Sequence, residues 1–304
     1  MKTLKSRLQQ LNIAAREQVA MAPYTSFHIG GTAALLIEPT DENQLIQAAT
    51  LVRESGKKRF LLGRGSNVLF PDEPMDAVII RTTAMRMMSV KNNEVYAHCG
   101  ATLAAIARTA QRSGLGGMEF AHGIPGTLGG ALCMNAGAYG GQMSDIVSSV
   151  CIYDAERNAV DMIDGAQMNF SYRHSILLSS PHLIALGAIL TLGDDDPAAI
   201  EARMQDYMNR RRQSQPLEYP SAGSVFKRPE GHFAGALIEQ SGLKGYRIGG
   251  AMVSPKHAGF IVNVGGATAR DVLSLIEHIK RTVERDHGIT LETEIQILTA
   301  LYAR

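Results

Sequence analysis

The sequence predicts an α+β fold in two or three domains, and three observations carry that prediction. The chain has 304 residues, more than one typical core requires. Its strand-like and helix-like segments are mixed without the regular alternation of a doubly wound sheet. A break in character at Asp194-Asp-Asp-Pro197 places a domain boundary near residue 195.

The elements follow in chain order. Leu4, Leu8 and Leu11 share one face of a helix predicted over 3–16. The turn-rich segment Pro23-Tyr-Thr-Ser-Phe-His-Ile-Gly-Gly31 leads into an apolar strand at 33–37. Asp41 is placed to cap a helix that runs to Ser55. Phe60-Leu-Leu62 reads as a short buried strand entering Gly63-Arg-Gly-Ser-Asn-Val68. Alternation predicts strands near 77–81, 86–90 and 94–98, and apolar spacing a helix over 103–113. Beyond a glycine-dense stretch, 114–141, strands are expected at 148–155, 158–163 and 183–193. The second region opens with a long charged helix, 198–212. It adds helices at 233–241 and 269–286, with strands at 259–263 and 295–302.

Lys and Arg number 30 against 29 Asp and Glu, a formal charge of +1. Without a basic excess to track a phosphate backbone, no nucleic-acid partner is expected. Apolar residues at 45% and charged residues at 19% describe a folded chain rather than a disordered one. The longest apolar runs, such as Leu183 to Leu192, fall short of the ~20 residues that cross a bilayer. No membrane association is therefore expected, and MKTLKSRLQQLN at the amino terminus lacks an apolar signal core. Cys99, Cys133 and Cys151 are an odd set without metal spacing, which points to a reducing, cytoplasmic setting. No two histidines have ligand spacing with a third ligand in view, so no metal is expected.

Thirty glycines stand out, because they cluster. Gly63-x-Gly65 after a strand resembles half of the dinucleotide fingerprint, but the third glycine and the acidic residue are missing. Two readings stay open for this loop. Its successive N–H groups form an anion-binding concavity, with Ser66 and Asn67 as side-chain donors, or it is a tight turn. The segment His122–Gly141 holds seven glycines in twenty residues, an entropic cost that a backbone pressed against a large flat or phosphorylated ligand would explain. A glycine-paved set of turns is the alternative.

Gly-Ile-Pro-Gly-Thr-Leu-Gly-Gly-Ala at 123–131, with Met-Asn-Ala-Gly-Ala-Tyr-Gly at 134–140, closely resembles the UDP-N-acetylenolpyruvoylglucosamine reductase (MurB) family of peptidoglycan synthesis. Further blocks carry the same resemblance in the family's order. They are Tyr24-Thr-Ser-Phe-His-Ile-Gly-Gly31, Leu62-Gly-Arg-Gly-Ser-Asn-Val-Leu69, Tyr172-Arg-His-Ser175, Arg211-Arg-Gln-Ser-Gln-Pro216, Ser221-Ala-Gly-Ser-Val-Phe-Lys-Arg-Pro229 and Leu291-Glu-Thr-Glu294. The chain is similar to the shorter, type II form, which lacks a tyrosine-bearing insertion.

The resemblance implies an FAD-binding domain of the vanillyl-alcohol-oxidase (PCMH) type in two subdomains over 25–195. An amino-terminal helix and lead-in (1–24) would precede it, and a carboxy-terminal α+β substrate domain (196–304) would follow. It implies that NADPH reduces non-covalently bound FAD, which then reduces the enolpyruvyl ether of a UDP-sugar to UDP-N-acetylmuramate. A cytoplasmic monomer serving cell-wall biogenesis, cell shape, the cell cycle and division is the corresponding expectation.

Site residues are carried over position by position. Arg173 matches the clamp on the substrate carboxylate, where a guanidinium forks onto two oxygens; by pattern alone it is a surface ion-pair arginine. Glu294 matches the glutamate that stabilises the enol, for which an environment raising its pKa is expected; by pattern alone it is an edge-strand residue. Ser224 matches the proton donor, an assignment that rests on the resemblance, since no nucleophile elbow or base accompanies it. Arg212 and Arg228 match phosphate and sugar contacts, and Lys227 fits either role. Tyr139 lines the site or packs in a turn.

For FAD, the resemblance implies Gly63, Arg64, Gly65, Ser66, Asn67 and Val68 at the pyrophosphate. Gly123, Pro125, Gly126, Gly129, Gly130, Asn135 and Gly137 would follow the rest of the cofactor. His28 departs from the Lys or Arg of the family pattern, which puts a charged contact there in doubt. His122 and His174 lie inside motifs but read as structural. Two rivals remain: a flavin oxidase acting on an alcohol or sugar, and a nucleotide-sugar-binding module without catalysis.

Overall fold

The computed structural model describes residues 2–298 and divides into two compact units. Unit 1 comprises Met1–Glu17, Leu35–Arg64 and Asp76–Arg211; unit 2 comprises Gln18–Ala34, Gly65–Met75 and Arg212–Arg304.

Unit 1 opens with helix α1 (Lys2–Gln10), shorter than its leucine spacing predicts. Asn12 takes a left-handed φ of 54°, and the N–H groups of Asn12 and Ile13 return to the carbonyls of Gln9 and Leu8. That pair of bonds is the Schellman stop, with asparagine in the left-handed position and Ile13 buried with Leu8. Residues 14–16 therefore open a strand, Ala14–Ala20, where the helix was expected to continue. This strand lies in a four-stranded sheet ordered Ala14–Ala20, Thr32–Glu38, Met75–Arg81, Lys58–Leu62. Helix α2 (Glu42–Glu54) is capped as predicted, the Asp41 carboxylate accepting the Gln44 N–H at 2.9 Å. A cap of this kind contributes about 1 kcal/mol.

The rest of unit 1 is built on an antiparallel five-stranded sheet ordered Ala159–Asp164, Val147–Asp154, Leu183–Thr191, Glu94–His98, Met88–Lys91. Helices α3 (Leu103–Arg112) and α4 (Leu128–Met134) contribute Leu103, Ile106, Leu128, Ala131 and Leu132 to one apolar cluster with this sheet. The sequence shows only a glycine-dense stretch at α4. Its buried residues, 128, 131 and 132, nevertheless have helical spacing. A short α5 (Ile176–Ser179) and the long α6 (Pro197–Ser214) follow, the latter at the predicted place.

Unit 2 holds an antiparallel sheet ordered Ser221–Ser224, Phe260–Asn263, Ala251–Val253, Arg247–Ile248. Helices α7 (Ala234–Gln240) and α8 (Ala269–His287) share its apolar cluster. The start of α8 is doubly capped: Thr268 and Asp271 form a capping box, and Asp72 accepts the N–H groups of Ala269 and Arg270. Gln296–Ile297 pairs in parallel with Val68–Leu69. The strand expected at 295–302 extends past residue 298, and that part lies outside the described residues.

Candidate active site

In unit 1, α4 connects the glycine motif to Arg173. At its amino end, Leu128 and Gly129 donate to the carbonyls of Ala101 and Cys99, at 2.9 and 2.7 Å. Thr127 precedes the helix with 1% of its surface exposed, and its hydroxyl has no partner among the described residues. A Cβ on Gly63 would collide with that hydroxyl, so any other residue there would force Thr127 to shift. Gly63 and the Gly123–Gly137 motif are thus brought together around an unsatisfied buried hydroxyl. An unbonded polar atom of this kind costs roughly 1–3 kcal/mol, which a bound acceptor or donor removes.

The Arg211 guanidinium donates to the Gly123 carbonyl at 2.8 Å and lies against the position a Cβ on Gly123 would take. The sequence singles out Arg212 from this run; the structure gives the glycine-loop contact to Arg211. Within the same motif, burial and the Arg108 charge hold His122 below the ordinary imidazole range.

At the far end of α4, Asn135 is 2% exposed and left-handed, with φ 42°. Its amide nitrogen donates to Gln142 Oε1 and to the Ser171 carbonyl, both at 3.2 Å, and its oxygen accepts the Ser144 N–H at 2.9 Å. Ser171 and His174 exchange backbone bonds, leaving Tyr172 and Arg173 at the tip of a tight turn. Arg173 sits there at φ 56°, a strained conformation for an arginine, with its guanidinium over the Tyr172 ring. Ser175, fully buried, donates to the Cys133 carbonyl and ties the turn to α4. Tyr139 is also left-handed, at φ 53°, and stacks on Tyr207 of α6 at 4.6 Å.

In unit 2, the Gly65 loop, Glu294 and Ser224 are linked through the main chain. Gly65 has φ 66° and is packed so closely on the Tyr24 carbonyl that no side chain fits. Ser26 holds the loop: its N–H donates to the Gly65 carbonyl at 3.0 Å, and its hydroxyl donates to the Ser221 carbonyl at 2.6 Å. None of the main-chain bonds among the described residues starts from the N–H groups of Arg64, Gly65, Ser66 or Asn67. Four adjacent donors without a main-chain acceptor are the makings of an anion cradle.

The Glu294 N–H donates to the Val225 carbonyl at 2.7 Å, and the Lys227 N–H to the Glu292 carbonyl at 2.9 Å. Glu294 therefore sits across from the residue next to Ser224. On the other side, Asn67 Nδ2 donates to the Glu294 carbonyl at 3.3 Å, and the Gln296 N–H donates to the Asn67 carbonyl. The Ser224 hydroxyl donates to the Phe226 carbonyl at 3.2 Å. Nearby, His257 Nδ1 accepts the Gly259 N–H, and burial keeps this imidazole below its usual range.

Three substrate candidates are placed less tellingly. Lys227 reaches Glu292 at 3.1 Å, and Arg228 lies over the exposed Phe233 ring. Arg212 is exposed, and its carbonyl accepts from Lys256.

The carboxy-terminal domain model of UDP-N-acetylenolpyruvoylglucosamine reductase matches residues 215–298, and an FAD binding domain model matches residues 33–161. A UDP-N-acetylenolpyruvoylglucosamine reductase of Clostridium novyi is 42% identical over 297 residues, covering 98% of this chain and 95% of that protein. One from Caldicellulosiruptor saccharolyticus is 45% identical over 294 residues, 96% of this chain and 94% of that protein.

The chain belongs to the UDP-N-acetylenolpyruvoylglucosamine reductase family.

The crystal structure of the Thermus caldophilus family member superposes with a TM-score of 0.80 at 34% identity, covering 94% of this chain and 99% of that one. The chain is an oxidoreductase that uses FAD, with a PCMH-type FAD-binding domain and the family's own carboxy-terminal domain. The residues present suit the cofactor: among the described residues the buried Thr127 hydroxyl lacks a partner, it closes on the place a Cβ of Gly63 would take, and the N–H groups of 64–67 have no main-chain acceptor. Neither Thr127 nor Ser26 is singled out by the sequence, although both lie inside the quoted motifs. No helix among the described residues is long and apolar enough to cross a membrane.

Proposed function

We propose that this chain reduces the enolpyruvyl ether of UDP-N-acetylglucosamine to UDP-N-acetylmuramate in peptidoglycan precursor synthesis, drawing its electrons from NADPH. The observation that carries the reading is the pairing of Glu294 with the residue beside Ser224, next to the Asn67 end of the glycine loop. Gly63, Arg64, Gly65, Ser66, Asn67 and Val68 hold the pyrophosphate of FAD. Gly123, Pro125, Gly126, Gly129, Gly130, Asn135 and Gly137 line the rest through the main chain, and Thr127 adds its hydroxyl. When bound, FAD supplies the hydride that it has received from NADPH.

Reduction of the terminal vinyl carbon drives an electron pair into the substrate carboxylate. Arg173 grips that carboxylate and disperses the developing charge. Glu294 stabilises the enolic oxygen. The Ser224 hydroxyl then gives its proton to the neighbouring carbon, so that one hydride and one proton have added across the double bond. Solvent restores the Ser224 proton. Arg212 and Arg228 take the diphosphate and sugar, with Lys227 and Tyr139 at the margin. The domain limits 25–195 and 196–304, a monomeric state and a cytoplasmic setting without membrane or nucleic-acid partners complete the proposal, with a downstream part in cell shape and division.

The test is optical and anaerobic. The purified protein should be yellow, bleach with NADPH, and recover its colour when the UDP-enolpyruvyl sugar is added. Bleaching without recovery on that sugar would rule out the proposed substrate.

A further inference from the structure

We infer that Asn135 is a positioning residue for Arg173, acting through its side-chain amide. The inference rests on the clamp role proposed above for Arg173. The amide is committed within the protein: both of its N–H bonds and the bond to its oxygen go to Gln142, Ser171 and Ser144. A buried amide so engaged is ill placed to serve as a cofactor ligand. Its bond to the Ser171 carbonyl fastens the base of the tight turn that holds Arg173 at φ 56°.

Beside this bond, that turn has a second tie to the same helix. The Ser171–His174 exchange is internal to it, and Ser175 donates to the Cys133 carbonyl two residues before Asn135. These two ties lead to the carboxy end of α4, whose amino end carries the Thr127–Gly130 segment of the glycine motif. Seven helical residues are a rigid spacer of roughly 10 Å. Asn135 converts the fixed position of that helix into a fixed position for the Arg173 turn. Its own left-handed backbone, φ 42°, is one that asparagine and glycine tolerate and other residues resist.

The experiment measures the two half-reactions of the FAD-loaded enzyme separately by anaerobic stopped flow. Asn135→Asp keeps size and backbone preference but loses the two donors. Asn135→Gly suits the backbone better and removes the amide altogether, so at least one variant should fold. Both should retain stoichiometric flavin and bleach with NADPH within about twofold of the parent rate. Reoxidation by the UDP-enolpyruvyl sugar should slow by about 10- to 100-fold, the scale expected when a catalytic group is misplaced by an ångström. In an Arg173→Ala background the same substitutions should change reoxidation by less than about threefold, because nothing remains to be positioned.

Undiminished slowing in that background, equal slowing of both half-reactions, or loss of flavin would overturn the positioning role. Normal reoxidation by Arg173→Ala alone would instead overturn the clamp on which it rests.

Discussion

Arg173 and Ser224 are both presented on bends, but by different means. Arg173 sits in a strained turn that side-chain hydrogen bonds of Asn135 and Ser175 tie to one short helix. Ser224 lies at the end of a strand whose neighbour, Val225, is bonded through its main chain to Gly259 on one side and Glu294 on the other. The first arrangement depends on the identity of a few side chains. The second depends on backbone register, and most substitutions nearby leave it in place. The clamp side should therefore fail by point substitution, and the proton-donor side only when the backbone itself is disturbed.

Gly65→Ala should produce the largest structural effect, because it attacks the backbone side directly. Gly65 combines φ 66° with contact against the Tyr24 carbonyl, so a methyl group meets both strain and collision. A loss of at least about 2 kcal/mol is expected, read as a fall in Tm of the apoprotein. An unchanged Tm would mean that this loop is less constrained than its geometry implies.

Thr127→Val comes next. It removes a buried hydroxyl that has no partner among the described residues, at nearly constant volume. FAD affinity should fall about tenfold, matching a hydrogen bond of ~1.4 kcal/mol, while the Tm of the apoprotein should hold or rise. Flavin fluorescence quenching gives the affinity; unaltered binding would remove Thr127 from the cofactor site.

Lys227→Met should do least to stability. Its ion pair with Glu292 is solvent-exposed on both sides, and the same two residues are already joined by a main-chain bond. A change below about 1 kcal/mol is expected. A raised KM for the UDP-sugar with kcat intact would assign Lys227 to substrate binding.

A pH effect distinguishes the two units only weakly, because each holds a half-buried histidine whose neutral form its surroundings favour: His122 in unit 1 and His257 in unit 2. With their folded pKa values below the ordinary 6.5, the stability they contribute is present above that value and is lost as pH falls through the lowered one. Tm should drop on acidification from pH 7 towards 5, and His257→Gln should flatten part of that slope. An identical slope in the variant would show that His257 is not a source of it.

Much of this arrangement was legible in the sequence. Asp41 as a cap, the 198–212 helix and the strands near 94–98 and 148–155 follow from spacing and local chemistry. The early end of α1 was legible in principle, because Asn12 is a stop signal; continuous leucine spacing concealed it. Helix α4 was concealed by Gly129 and Gly130, whose low propensity is outweighed by burial of Leu128, Ala131 and Leu132. The site divides in the same way. Motifs name Gly63, Gly65, Arg173, Ser224 and Glu294, but not the residues that hold them. Ser26, Thr127, Arg211 and the amide role of Asn135 depend on contacts between distant parts of the sequence, such as Ser26 with Ser221 and Arg211 with Gly123. Local pattern does not encode such contacts.

The central claim is that Ser224, held beside Glu294 by the backbone, donates the proton that completes the reduction. Single-turnover reoxidation of the Ser224→Ala enzyme tests it most directly. NADPH should bleach the variant at the parent rate, and the UDP-enolpyruvyl sugar should restore its colour more slowly by roughly 10²- to 10⁴-fold. Recovery at the parent rate would contradict the claim and leave Ser224 as a structural residue of its strand.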